Sequence, residues 1–163
     1  MRSIAVLTIS FALAGCGFQL RGTAEVPFET LYLPNSNAGI ALDLKRNIQS
    51  GTRAKVVDDP KTAQAILQFT EETRNKEILS LTGTGRVREF QLRYRVGFRV
   101  HDGKGGEYVP QSVIQLTRDV TFNDSEILAK ESEEQLLFRD MQTDMVQQIM
   151  RRLAAAQKPK PPT

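Results

Sequence analysis

Cysteine is almost absent from this chain: Cys16 is the only one in 163 residues. One thiol excludes an internal disulfide framework and a cysteine-built metal centre, so the fold must rest on its hydrophobic core. Histidine is equally scarce, with His101 alone, and tryptophan is missing. A single imidazole beside a glycine-rich turn, with no dense carboxylate cluster, argues against a zinc site. Charge of one sign is lacking too. The 22 Lys and Arg stand against 19 Asp and Glu, which gives no case for nucleic acid but leaves room for a local basic patch. No G-x-S-x-G elbow occurs. Gly83-Thr84-Gly85 and Gly103 to Gly106 lack the spacing of phosphate loops and read as turns. Past residue 16 there is no long apolar run, so the mature chain is expected to sit on a membrane without spanning it.

What is present begins at the amino terminus. Met1-Arg2-Ser3 precedes a mainly apolar run from Ile4 to Leu13, then Ala14-Gly15-Cys16. A cation, about ten apolar residues and small residues at the cleavage point form a secretory signal. Leu13-Ala14-Gly15-Cys16 matches the lipobox, in which the cysteine sulfur accepts a diacylglycerol before cleavage and the freed amine then takes an N-acyl chain. Residues 1–15 are therefore expected to be removed and Cys16 to be the lipidation site. Two or more acyl chains give stable anchoring. No other cofactor is expected. Gly17 stands where an aspartate would favour the inner membrane, so the outer membrane is expected, with the protein facing the periplasm.

Residues 16–28 read as a tether and 29–157 as one domain. Leu31-Tyr32-Leu33 is a brief strand, and Pro34 to Asn37 is a turn cluster with a capping residue. Ile40, Leu44 and Ile48 recur every four residues in a helix from about Ala38 to Ser50, stopped by Gly51. Lys55-Val56-Val57 offers a short strand, so the domain opens on a βαβ pattern. Ala63, Ala65, Leu67 and Phe69 alternate with polar residues, whereas Glu71 to Glu77 is polar on both faces and is expected to project beyond the core. Phe90, Leu92, Tyr94, Val96, Phe98 and Val100 hold every even position of the next strand. Arg93, Arg95, Arg99 and His101 point the other way, giving one oily face and one wet, cationic face. A partner strand runs from about Gln111 to Phe122. Asn123-Asp124-Ser125 can cap a long helix reaching Gln157, with Phe138, Met141, Met145, Ile149 and Leu153 as its apolar stripe and a polar start that overhangs the core. Residues 158–163 read as a disordered Pro/Lys tail. The expected fold is α+β: a two-layer sandwich of two helices on a mostly antiparallel four-stranded sheet.

Catalytic machinery is not evident, and no enzyme is expected. The cations are more informative: Arg86 and Arg88 follow a turn, Arg93, Arg95 and Arg99 line a sheet face, and Lys130 opens the long helix. They fit either a solvated face or a site for the phosphates of lipopolysaccharide. Polar ends that leave the core fit a partner such as the lumen of an outer-membrane barrel.

Cys16-Gly17-Phe18-Gln19-Leu20-Arg21-Gly22 resembles the opening of mature LptE lipoproteins. Val26-Pro27 with Leu31-Tyr32-Leu33, the strand Glu89-Phe90-Gln91-Leu92, the stretch Phe122-Asn123-Asp124 then Ile127-Leu128-Ala129-Lys130, and Gln147-Gln148-Ile149 with Arg151-Arg152-Leu153 are similar to later parts of that family. The resemblance implies a non-catalytic plug subunit inside the LptD β-barrel, in a 1:1 complex that delivers lipopolysaccharide (LPS) to the outer leaflet, with a share in barrel biogenesis. It also implies LPS-binding residues: Lys130 in the Ala-Lys stretch, and Arg86 with Arg88 in the turn before the Glu-aromatic-Gln strand, where the spacing departs from the family's. Two readings stay open beside it. One is an accessory lipoprotein of another envelope-assembly or lipid-trafficking machine. The other is a lipid-anchored enzyme dependent on His101.

Overall fold

The computed structural model describes residues 24–123 and 127–159. Cys16, the signal segment, most of the tether and the Asp124-Ser125 cap lie outside the described residues. Among the described residues, five strands and two helices follow in the order β1 (Thr30–Tyr32), α1 (Gly39–Gly51), β2 (Lys55–Val57), β3 (Ala65–Leu81), β4 (Val87–His101), β5 (Glu107–Thr121) and α2 (Ile127–Ala154), with a 3-10 turn at Pro60–Thr62. They form one sheet of order β2-β1-β3-β4-β5. The class is the expected α+β sandwich, but the sheet has five strands and not four. The additional strand is Lys55–Val57, which pairs in parallel with Thr30–Tyr32. That segment is already a candidate strand in the sequence, and its parallel pairing with β1 brings it into the same sheet.

The core lies toward the end of the sheet that carries the β4–β5 turn. Leu92, Tyr94, Val96, Phe98 and Val100 of β4 are fully buried, opposite Met141, Met145, Ile149 and Leu153 of α2 and Ile40, Leu44 and Ile48 of α1. Burying each such side chain stabilises the fold by about 1.5–3 kcal/mol. The two helices run side by side, joined by Gln142 to Asp43 and by Gln147 Nε2 donating to Asn47 Oδ1 at 3.0 Å. α1 therefore begins only level with the middle of α2. The sequence expectation for its ends needs correction. No side chain from the Pro34–Asn37 cluster caps it, since Ala38 stands at the N-cap. It ends on Thr52, whose hydroxyl and N–H both donate to the Ile48 carbonyl at 2.8 and 3.0 Å, and Gly51 is still helical.

β3 and β4 are a long antiparallel hairpin of 17 and 15 residues, with β3 spanning roughly 55 Å at a strand's rise per residue. The half nearer the β3–β4 turn, called distal below, faces α2, with Arg74 reaching Gln142 and Lys76 reaching Glu134. A bulge separates the halves. Phe69 pairs with Phe98 but Glu71 pairs with Gly97, so Thr70 is the extra residue. One inserted residue reverses which side chains of β3 face the helices. Leu67 and Phe69 point inward before it; Glu72, Arg74 and Lys76 stand beside Val96, Tyr94 and Leu92 after it.

Candidate functional site

The distal half holds the chemistry. On its helix side the layer between sheet and α2 is polar where the rest of the interior is apolar. The Tyr94 hydroxyl donates to Glu72 Oε1 at 2.8 Å, and the Arg74 guanidinium lies 4.7 Å above the Tyr94 ring while donating to Gln142. Burial holds the Tyr94 phenol protonated well above its ordinary range; the Arg74 contact works against that and Glu72 adds to it. Lys76 pairs with Glu134 at 2.6 Å and sits 4.3 Å from the Phe90 ring centre. Arg118 of β5 reaches Asp144 of α2 at 2.8 Å. The core-facing stripe of α2 thus passes from Leu153, Ile149, Met145 and Met141 through Phe138 to Glu134 and Lys130, which are only half-buried. Strand and helix both leave the core, as expected, but they do so together and paired with each other.

The opposite face of the sheet is wet, as the alternation requires, though it is not an open field of positive charge. Arg95 pairs with Glu71 at 3.0 Å, Arg93 with Glu77 at 3.0 Å, and Arg99 donates to Gln68 at 2.8 Å. The two ion pairs, this exposed, contribute only about 0–1 kcal/mol each and chiefly neutralise Arg93 and Arg95, while Arg99 keeps its charge. His101 Nδ1 accepts the Gly103 N–H at 3.1 Å, which is a turn-closing role. Asp102 Oδ1 accepts the N–H groups of Lys104 and Gly106 at 2.7 and 2.8 Å, and these bonds hold its carboxyl below its usual range.

The three cations singled out from the sequence converge at the distal tip. Lys130 Nζ lies 3.4 Å from Thr121 Oγ1 and pairs with Glu133 at 2.8 Å, its side chain only 18 % exposed. Thr121 stands opposite Glu89 in the ladder, and the Phe122 N–H donates to the Arg88 carbonyl at 2.9 Å. Arg88 is itself an extra residue, since Glu89 pairs with Ser80 and Val87 with Leu81. Arg86 closes the turn, its N–H donating to Thr82 Oγ1 at 3.1 Å and its carbonyl accepting from the Thr82 N–H at 2.7 Å. Sequence reasoning missed their surroundings. Ile78, Leu79 and Leu81 at the end of β3 are exposed, as are Ile127 and Leu128 at the start of α2, Leu128 by 80 %. Five large apolar side chains around a cationic turn make an amphiphilic tip. The signal available was the reappearance of Ile-Leu-Ser-Leu after the polar stretch of β3.

No helix among the described residues is long and apolar enough to cross a membrane. The family model described as LptE, Lipopolysaccharide-assembly, matches residues 28–153. The LPS-assembly lipoprotein LptE of Photorhabdus laumondii is 28% identical over 156 residues, covering 91% of this chain and 85% of that protein. The Yersinia enterocolitica protein of the same name is 32% identical over 144 residues, covering 86% and 69%. Among solved structures, lipoprotein B of Nitrosomonas europaea superposes with a TM-score of 0.73 at 46% identity, covering 85% of this chain and 91% of that one. Rare lipoprotein B of Shewanella oneidensis gives 0.66 at 25% identity, covering 77% and 94%. With the match running from Phe28, just ahead of β1, to Leu153 near the end of α2, the chain belongs to the LptE family of lipopolysaccharide-assembly lipoproteins.

Proposed function

We propose that this protein is a non-enzymatic lipoprotein of the outer membrane, anchored through Cys16, that plugs the LptD β-barrel and binds LPS at the distal tip of its hairpin. The observation that carries the binding role is the gathering of Arg86, Arg88 and Lys130 around Ile78, Leu79, Leu81, Ile127 and Leu128. LPS presents phosphates beside acyl chains, so its recognition needs cations and apolar surface within one footprint. A phosphate oxygen at Lys130 would take the place of the Glu133 carboxylate, an exchange of one anionic acceptor for another on the same ammonium. The plug role rests on family membership and on the polar side chains that the distal half carries on both faces ahead of its amphiphilic tip, which suit a polar barrel lumen.

The binding role is tested by titrating LPS onto the full chain and onto the Arg86→Ala, Lys130→Ala double variant. Losing two charge-assisted contacts of roughly 1.5–3 kcal/mol each should weaken binding at least about tenfold, with unchanged circular dichroism. Equal affinity in the double variant would remove the tip as the binding site while leaving the plug role standing.

A further inference from the structure

The free edge of β5 has a property that no part of the LPS-binding reading uses. The sheet ends at β5, and from Ser112 to Thr121 its pairing with β4 is uninterrupted. The Phe122 N–H bonds to the Arg88 carbonyl, so the even-numbered residues of this stretch turn their main-chain groups toward β4. Val113, Gln115, Thr117, Asp119 and Thr121 therefore turn theirs outward. Side-chain contacts agree with that assignment. Arg152 Nη2 donates to the Val113 carbonyl at 3.3 Å, and Arg118 Nη1 donates to the Thr117 carbonyl at 3.0 Å.

Sheets guard such edges by keeping them short, bulging them, covering them, or placing Pro and Lys along them. The opposite edge, β2, is three residues long. β5 has Pro110 and its bulges only before Ser112, while Gln111 to Thr121 contains neither proline nor lysine. What remains is about ten residues, roughly 34 Å of regular strand, with a row of outward donors and acceptors that have no main-chain partner among the described residues. Two arginines occupy two of the acceptors. Arg118 also has Asp144, but Arg152 has no carboxylate partner among the described residues and lies 5.9 Å from the Phe98 ring.

We propose that the β5 edge is a strand-addition site: it accepts an extended polypeptide segment as a sixth strand, and that segment carries carboxylates at alternate positions on the helix side. Main-chain bonds to the outward groups supply affinity, as in other strand-addition complexes. The incoming strand displaces Arg118 and Arg152 from the carbonyls they cover. Carboxylates on its helix-facing side chains then receive the displaced guanidinium groups, a pairing that favours an acidic segment over a neutral or basic one.

The test uses the full chain in mild detergent and a synthetic ten-residue peptide alternating valine with glutamate, followed by fluorescence anisotropy and amide exchange. Binding is expected, with slowed exchange confined to the amides of residues 113, 115, 117, 119 and 121. A lysine-for-glutamate peptide should bind at least about tenfold more weakly. Thr117→Pro removes one outward N–H and no bond to β4, so it should also cost about tenfold; Gln115→Pro serves if the first variant does not fold. Absence of binding, equal binding by the lysine peptide, or undiminished binding by a folded proline variant would each overturn the proposal.

Discussion

Gly97 shows how one residue sets the geometry of the hairpin. It lies on β4 beside the Thr70 bulge, where an added Cβ would stand 2.7 Å from Thr70 Oγ1 and 3.3 Å from Glu71 Cβ. Thr70 is also held by Gln111 Nε2 at 2.6 Å, so it cannot swing away without losing that bond. Gly97→Ala should therefore destabilise the fold by about 1–3 kcal/mol, the usual cost of overpacking, read as a lower urea midpoint. A midpoint equal to wild type would mean that the bulge yields. Residues such as Phe90 to Val100 were legible in the sequence because a sheet covered on one side forces a strict alternation. The outward placing of Arg93 and Arg95 was legible for the same reason. Their partners Glu77 and Glu71 were not, because the Thr70 insertion leaves no mark in a run already polar at every position.

Among the elements, α2 combines two kinds of contact in one helix. Its second half is held by burial of Met141, Met145, Val146, Ile149 and Leu153, and its first by polar contacts such as Lys76–Glu134. The halves should answer differently to substitution. Met145→Ala is expected to cost about 2–5 kcal/mol, whereas Glu134→Gln should cost no more than about 1 kcal/mol. Amide exchange should follow the same division, faster before Phe138 than after Met141, because local opening is cheapest where little apolar surface is buried. Uniform protection along α2 would contradict this division. The apolar stripe of the second half could be read from spacing alone. The polar seam could not, since Glu134 and Lys130 look like solvated positions until Arg74 and Lys76 are turned toward the helix. Lys55–Val57 was legible as a short strand, but its place in the sheet comes from parallel pairing with β1, a contact between residues 25 apart in the chain.

For the whole molecule, the division into an oily core end and a polar, amphiphilic tip matches two tasks carried by one body. The core end gives the sandwich its stability. In the proposed role the tip, with Arg86, Arg88 and Lys130 among exposed leucines and isoleucines, is the surface that would meet a ligand with charged and apolar parts. Family and fold class were both legible before the structure, the first from the Cys16-Gly17-Phe18 opening and the Ala129-Lys130 stretch. The exposed apolar side chains around the three cations were not, because Ile78, Leu79 and Leu81 follow a polar stretch that breaks the alternation of β3. The plug role is tested most directly by mild-detergent extraction of the tagged full chain from outer membranes, with co-purifying proteins identified by mass spectrometry. Recovery of one large β-barrel in near one-to-one amount is the expected result. Recovery of the chain alone, or with a different envelope machine, would contradict it.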